Sequence, residues 1–188
     1  MSAKAASSPS RKAKSGLSAP RGSATAPPAR TAAQHQDRIL AVLQKFRQVF
    51  KSAQKHFHWV EKQCGVSGAQ LWALWELCES PGLSVSELAR AMSIHQSTAS
   101  NLLDKLEQRK LIRRERKGPD QRVVRLFATP GGLAVVSKAP RPARGVLPDA
   151  LSQLPENELR ALDANLDALV NLMRIRDERA AMTPLSEI

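Results

Sequence analysis

The sequence predicts a mainly α fold with one small β-hairpin, on three observations. Apolar residues recur at spacings of three and four near both ends, the period of a helix buried along one face. Ser-x-x-Gln and Ser-x-x-Glu starts punctuate the middle, a pattern in which serine and the third residue on satisfy each other's orphan amides. After Lys110 the apolar period shortens around a Gly-Pro-Asp turn, as expected of paired strands. The 188 residues suffice for one domain with an appendage, which excludes a large multidomain enzyme.

Charge narrows the class of partner. Lysine and arginine number 29 against 17 acids, a formal charge of +12 that favours a polyanionic partner. The surplus is uneven: +6 in residues 1–33, +2 in 34–92, +8 in 93–147 and −4 from 148 onward, so the acidic end should face away from any polyanion. Two cysteines, Cys64 and Cys78, cannot make a disulfide framework. No apolar run approaches the roughly 18 residues of a membrane helix, and the N-terminus lacks the apolar region of a secretory signal. The expectation is a soluble, cytoplasmic protein with no membrane partner.

Residues 1–33 are Ala, Ser, Pro, Lys and Arg with Leu17 almost the only large apolar side chain, too little to offset the entropy of ordering. They read as a disordered basic arm, either a solvated leader or a segment that lies along DNA phosphates. From Gln34 to about Lys62, Ile39, Leu43, Phe46, Phe50, Ala53, Phe57 and Val60 form a helical stripe about 40 Å long. Ser67/Gln70 opens a helix through Leu71, Leu74, Trp75 and Cys78, stopped by Pro81-Gly82. Ser84/Glu87 opens a short one through Leu88, Ala89 and Met92. Ser93/Gln96 opens a longer one through Leu102, Leu103 and Leu106 to about Lys110. Two helices so closely spaced, the second longer, suggest a helix-turn-helix.

Leu111–Arg116 and Arg122–Ala128 flank Lys117-Gly118-Pro119-Asp120-Gln121 and read as a hairpin too cationic for a buried sheet. Thr129-Pro130 starts another helix that Pro140 and Pro142 interrupt. Leu159, Leu162, Leu166, Leu169 and Met173 form a last amphipathic helix, with Pro155 suited to its first turn. Long helices at both ends of a small domain favour dimerisation.

This order of elements resembles the winged helix-turn-helix of the MarR family of bacterial transcription regulators. The resemblance rests on Ser86-Glu87-Leu88-Ala89-Arg90, Ser97-Thr98-Ala99-Ser100-Asn101-Leu102-Leu103-Asp104-Lys105-Leu106-Glu107, Leu111-Ile112-Arg113-Arg114, Asp120-Gln121-Arg122 and Ala128-Thr129-Pro130-Gly131-Gly132, and covers about residues 34–176. It implies a dimerisation helix over 34–66, a DNA-binding module over 67–138, dimerisation helices over 139–176 and a tail over 177–188. The family often has glycine where this chain has Ser93 and Lys110, and places the recognition-helix cap at His95, so the cap is Ser93 or His95.

With a helix starting near Ser93, Ala99, Leu102, Leu103 and Leu106 share one face, while Gln96, Ser97, Ser100, Asn101 and Asp104 occupy the other. Short polar side chains let a helix approach base edges, and Gln96 and Asn101 can pair with adenine. The bland alternative is a merely solvated face. His95, Thr98 and Lys105 complete the expected contacts of this helix. Arg122 resembles the family's minor-groove arginine, oriented by Asp120, since narrow grooves focus negative potential. Arg113, Arg114, Arg116, Lys117 and Arg125 should meet phosphates or keep the hairpin soluble. Ser84 and Ser86 stand where a phosphate could be met, although capping alone explains Ser84.

A homodimer of this kind reads a palindrome in double-stranded DNA, with recognition helices about 34 Å apart. A repressor released by a small aromatic effector is the expected behaviour, with His56, Trp59, Trp72 and Trp75 as candidate effector contacts. The alternative is that the tryptophans are core and the histidines, His58 included, surface. Cys64 beside Lys62 could act as a redox-sensitive thiolate, whereas Cys78 lies on an apolar face. A metal site from His56, His58 and Cys64 is disfavoured because residues two apart on a helix diverge. No cofactor is expected. An enzyme would need a phosphate loop, a metal-ligand pair or a nucleophile motif, and the sequence has none of these. The remaining rival is a protein-docking winged module that binds nucleic acid without sequence choice.

Overall fold

The computed structural model describes residues 29–116, 123–174 and 177–187. The chain divides into two units, residues 1–40 and 41–188. In the first, the described part is the opening of helix α1, Ala29–Cys64, with Ile39 and Leu40 exposed. The helix starts at Ala29 rather than Gln34, so Thr31, Ala32 and Ala33 are helical rather than part of an unstructured arm. Alanine and arginine are strong helix formers and carry the helix back almost to Pro28.

In the second unit the α1 stripe splits in two. Ala53, His56 and Val60 are buried, while Val42, Leu43, Phe46, Val49 and Phe50 remain 43–59% exposed. Helix α2, Gly68–Glu79, and helix α3, Val85–Ala91, begin in the expected capping boxes at Ser67/Gln70 and Ser84/Glu87. Helix α4, Gln96–Gln108, does not: its N-cap is His95, and Ser93 lies instead at a positive φ of 52°. Ser93 ends α3, where its own N–H donates to the Arg90 carbonyl and that of Ile94 to the Ala89 carbonyl. This double bond pattern needs a left-handed residue just past the helix. Lys110, at φ 60°, ends α4 in the same way, its N–H donating to the Glu107 carbonyl and that of Leu111 to the Leu106 carbonyl.

Leu71, Leu74 and Leu77 of α2, Leu88 of α3 and Leu102, Leu103 and Leu106 of α4 interlock with Val60, Val66 and Leu126 as the fully buried core. Each contributes roughly 1.5–3 kcal/mol on burial. Strands β1, Ile112–Arg116, and β2, Val124–Ala128, pair antiparallel with Arg114 opposite Leu126. Gly82 and Leu83 exchange backbone hydrogen bonds with Leu126, which ties the open side of β2 to the segment before α3. The architecture is the expected mainly helical winged helix-turn-helix.

Helix α5, Pro130–Lys138, has Thr129 as its cap and proline in its first turn, as expected. Its Gly132 packs so closely that a Cβ there would lie 2.2 Å from the Leu111 carbonyl oxygen. After a cis Arg141–Pro142 peptide comes a short helix α6, Val146–Ser152, then α7, Glu156–Leu172. Pro155 is the N-cap of α7 rather than a first-turn residue, with its carbonyl accepting from Glu158 and Leu159. Helix α7 has no buried residue. Two 3-10 turns, Glu178–Met182 and Leu185–Glu187, close the described chain. Among the described residues, no helix is long and apolar enough to cross a membrane.

Candidate nucleic-acid interface

Helix α4 sorts its side chains by chemistry. Ala99, Leu102, Leu103 and Leu106 are buried, and on the other side Gln96, Ser97, Asn101, Asp104 and Lys105 are exposed, with Thr98 and Ser100 half-buried between them. Thirteen residues give a rod of about 20 Å, whose polar side carries amide and hydroxyl groups able to donate and accept. His95 is exposed and makes no side-chain cap bond.

The helix before it is anchored by its cap. Ser84 accepts from the Glu87 N–H at 3.3 Å while its own N–H donates to Glu87 Oε2 at 2.7 Å. These bonds from Ser84, backbone first, hold the Glu87 carboxyl below its ordinary pKa. The Ser84 hydroxyl thus serves as a cap, while Ser86 is exposed in the first turn of the helix.

Three of the hairpin arginines have partners within the module. Arg114 reaches from β1 to Asp104 Oδ1 at 2.5 Å and to Glu107 Oε2 at 3.4 Å, clamping the wing to α4. Arg125 reaches from β2 to Glu87 Oε2 at 3.2 Å and to the Gly82 carbonyl at 3.1 Å. Arg113 pairs with Glu115 and lies over the Phe127 ring at 4.8 Å. These three arginines are therefore tied into the module, Arg114 and Arg125 by carboxylates on other elements and Arg113 by Glu115 on its own strand, a role that a tally of positive charges cannot reveal. Arg116 ends β1 and is exposed. Lys117, Asp120 and Arg122 lie outside the described residues.

The effector candidates separate. Trp72 and Trp75 line a cavity of about 490 Å³ together with Arg141, Arg144, Glu79 and Asp149. Arg141 lies over the Trp75 ring at 4.6 Å. The buried Glu76 accepts from Trp72 Nε1 at 2.8 Å and pairs with Arg144 Nε at 2.9 Å, which fixes one wall. His56 is buried beside Trp59 in an edge-on contact and hydrogen-bonds the Pro142 carbonyl. Neither His56 nor Trp59 lines the cavity, and Trp59 is 49% exposed. Arg141 and Arg144 have no periodic signal because they lie in the irregular segment around Pro140 and Pro142, and Glu76 gives none because its partner Arg144 is distant in sequence.

Cys64 is half-buried at the end of α1, and burial pushes its thiol pKa up, away from the thiolate that redox chemistry needs. Cys78 is shifted the same way, by burial and by Glu79.

The match to a protein-family model falls on the same segment. A sequence profile of the MarR family matches residues 65–123. The chain is 35% identical over 100 residues to the HTH-type transcriptional repressor MdtR of Bacillus subtilis (strain 168), covering 53% of this chain and 64% of that relative's length. It is 29% identical over 150 residues to the HTH-type transcriptional regulator TtmR of Methylorubrum extorquens (strain PA1), covering 80% and 69%. Among solved structures it resembles a MepR-like protein complexed with pseudoligands, at a TM-score of 0.51 and 25% identity over 72% of this chain and 93% of that one.

Proposed function

The chain belongs to the MarR family of winged helix-turn-helix transcription regulators, and on that premise we propose that it is a homodimeric repressor of a palindromic duplex operator, released by a small aromatic effector. The observation that carries this reading is the division of α4, whose apolar side builds the core while Gln96, Ser97 and Asn101 stand exposed. An exposed face of short polar side chains beside a cationic hairpin suits the major groove. Gln96 and Asn101 read base edges, with His95, Ser97, Thr98 and Ser100 around them. Lys105, Arg116, Lys117 and Ser86 meet phosphates. Arg122 enters the minor groove with Asp120 orienting it.

Pairing follows from the exposed apolar faces of α1 and α7, which would cover each other in a two-fold dimer. The cavity has the size to take an aromatic acid, with Trp72 and Trp75 as flat walls and Arg141 and Arg144 as guanidinium partners beside Glu79 and Asp149.

A footprint on the promoter region of its own gene, with random duplex as competitor, tests the reading. Operator binding should survive the competitor and Asn101→Ala should weaken it about 5- to 100-fold, the size of one bidentate base contact. Binding to random duplex should barely change with that variant. Operator and random duplex bound alike would end the reading.

A further inference from the structure

Beyond α7 the chain returns to the winged module and seats on it. Asp177 Oδ1 accepts from the Arg179 N–H at 3.0 Å and starts the 3-10 turn that ends at Met182. The Met182 carbonyl then accepts from the His95 N–H at 3.2 Å. Four residues later the Ser186 hydroxyl oxygen accepts from the Ala69 N–H at 3.1 Å. Between them Pro184 is buried, and it lines a groove together with Phe57, Gly68, Trp72 and Arg144. Gly68 is fitted to this seat, since a Cβ there would lie 3.3 Å from Ser186 Cβ and 2.6 Å from the Phe57 ring.

One segment thus satisfies amides at the starts of two helices, the positions where a helix leaves donors without an internal partner. At α4 the Met182 carbonyl accepts from the N-cap N–H, while the His95 side chain makes no cap bond. Helix-turn-helix proteins present the N-terminal residues of the second helix to base edges. The Met182 carbonyl docks at that end of α4, on the backbone N–H of His95, on a segment that carries Asp177, Glu178 and Glu187 against Arg179.

We propose that residues 177–187 form an autoinhibitory strap that closes the N-terminal end of the DNA-reading helix and has to lift before duplex is engaged at full depth. The inference rests on α4 being the DNA-reading helix. A competent state populated only in part lowers apparent affinity by its fraction, so the strap sets a ceiling on operator binding. Trp72, Arg144 and Pro148 line both the strap's groove and the larger cavity, so an occupant of that cavity bears on the strap as well.

The test compares full-length protein with a chain ending at Asp177, by anisotropy on a labelled operator duplex. The shortened chain should bind about tenfold more tightly, the size of two ordinary hydrogen bonds and a buried ring. A synthetic peptide of residues 177–188, added at millimolar concentration, should reverse the gain. Ser186→Ala in the full chain should move affinity the same way by a smaller factor, which keeps the test open if truncation harms folding. In the full-length protein, operator should speed tryptic cleavage after Arg179. Equal or weaker binding by both altered chains, or protection of Arg179 by operator, overturns the strap. If operator is not preferred over random duplex by either form, the parent reading has failed and the strap fails with it.

Discussion

His56 occupies a position where an imidazolium is costly. It is 5% exposed, and burial pushes its pKa below the ordinary 6.5, against the smaller upward pull of its hydrogen bond to the Pro142 carbonyl. In the unfolded chain the ring titrates at its ordinary value. Between the depressed folded value and 6.5, the unfolded state therefore binds more protons, and stability rises with pH across that window. Urea midpoints should be level above about pH 7 and fall as the pH drops below it, and His56→Gln should flatten that fall. An unchanged slope in the variant would place the acid sensitivity elsewhere. The arginines make a second point at this scale. Arg113, Arg114 and Arg125 count as loose positive charge in a sequence, yet each is held by a carboxylate, and Arg125 also by a carbonyl. Only placement shows that Arg114 is spent on Asp104.

Among the elements, the stops of α3 and α4 carry the clearest strain. Lys110 and Ser93 hold positive φ without being glycine, and a left-handed L-residue costs roughly 1–2 kcal/mol. Glycine gives back part of that through unfolded-state entropy, so Lys110→Gly should stabilise by about 0.5–1 kcal/mol and raise the thermal midpoint by a few degrees. A lower midpoint would show that the Lys110 side chain contributes more than its backbone costs. Both positions were legible in the sequence as departures from the family's glycines. The capping boxes at Ser67 and Ser84 were legible too, because a cap is a local exchange over three residues. Ser93/Gln96 has the same pattern and fails, since the stop of α3 claims Ser93 first. What could not be read joins residues far apart in the chain. The Glu76–Arg144 wall of the cavity and the Ser186 contact with Ala69 have no periodicity and no motif. Nor could the α1 stripe show where it changes hands, from Ala53, His56 and Val60 packed on the module to Val42, Phe46 and Phe50 left bare.

For the whole molecule the question is what covers those bare faces. On α1, Val42, Leu43, Phe46, Val49 and Phe50 recur at helical spacing and are all exposed; on α7, Leu166, Leu169 and Val170 do the same, with Met173 exposed just past its end. So many exposed large apolar side chains at helical spacing are unusual on a monomer and fit the proposed pairing of two copies. A two-fold axis would place the same faces of two copies together. Phe46→Glu with Phe50→Glu removes two large aromatic contacts and sets like charges against each other across such an axis. Neither ring belongs to the module's buried core, so far-ultraviolet dichroism of residues 41–188 should hold while sedimentation shifts from dimer to monomer. Operator affinity should fall by at least two orders of magnitude, because two half-sites roughly 34 Å apart can no longer be held by one particle. Binding to a single half-site should change little, which separates lost pairing from lost recognition. A wild-type chain that sediments as a monomer at micromolar concentration would remove the dimer, and a doubly charged variant that still pairs would move the interface away from α1.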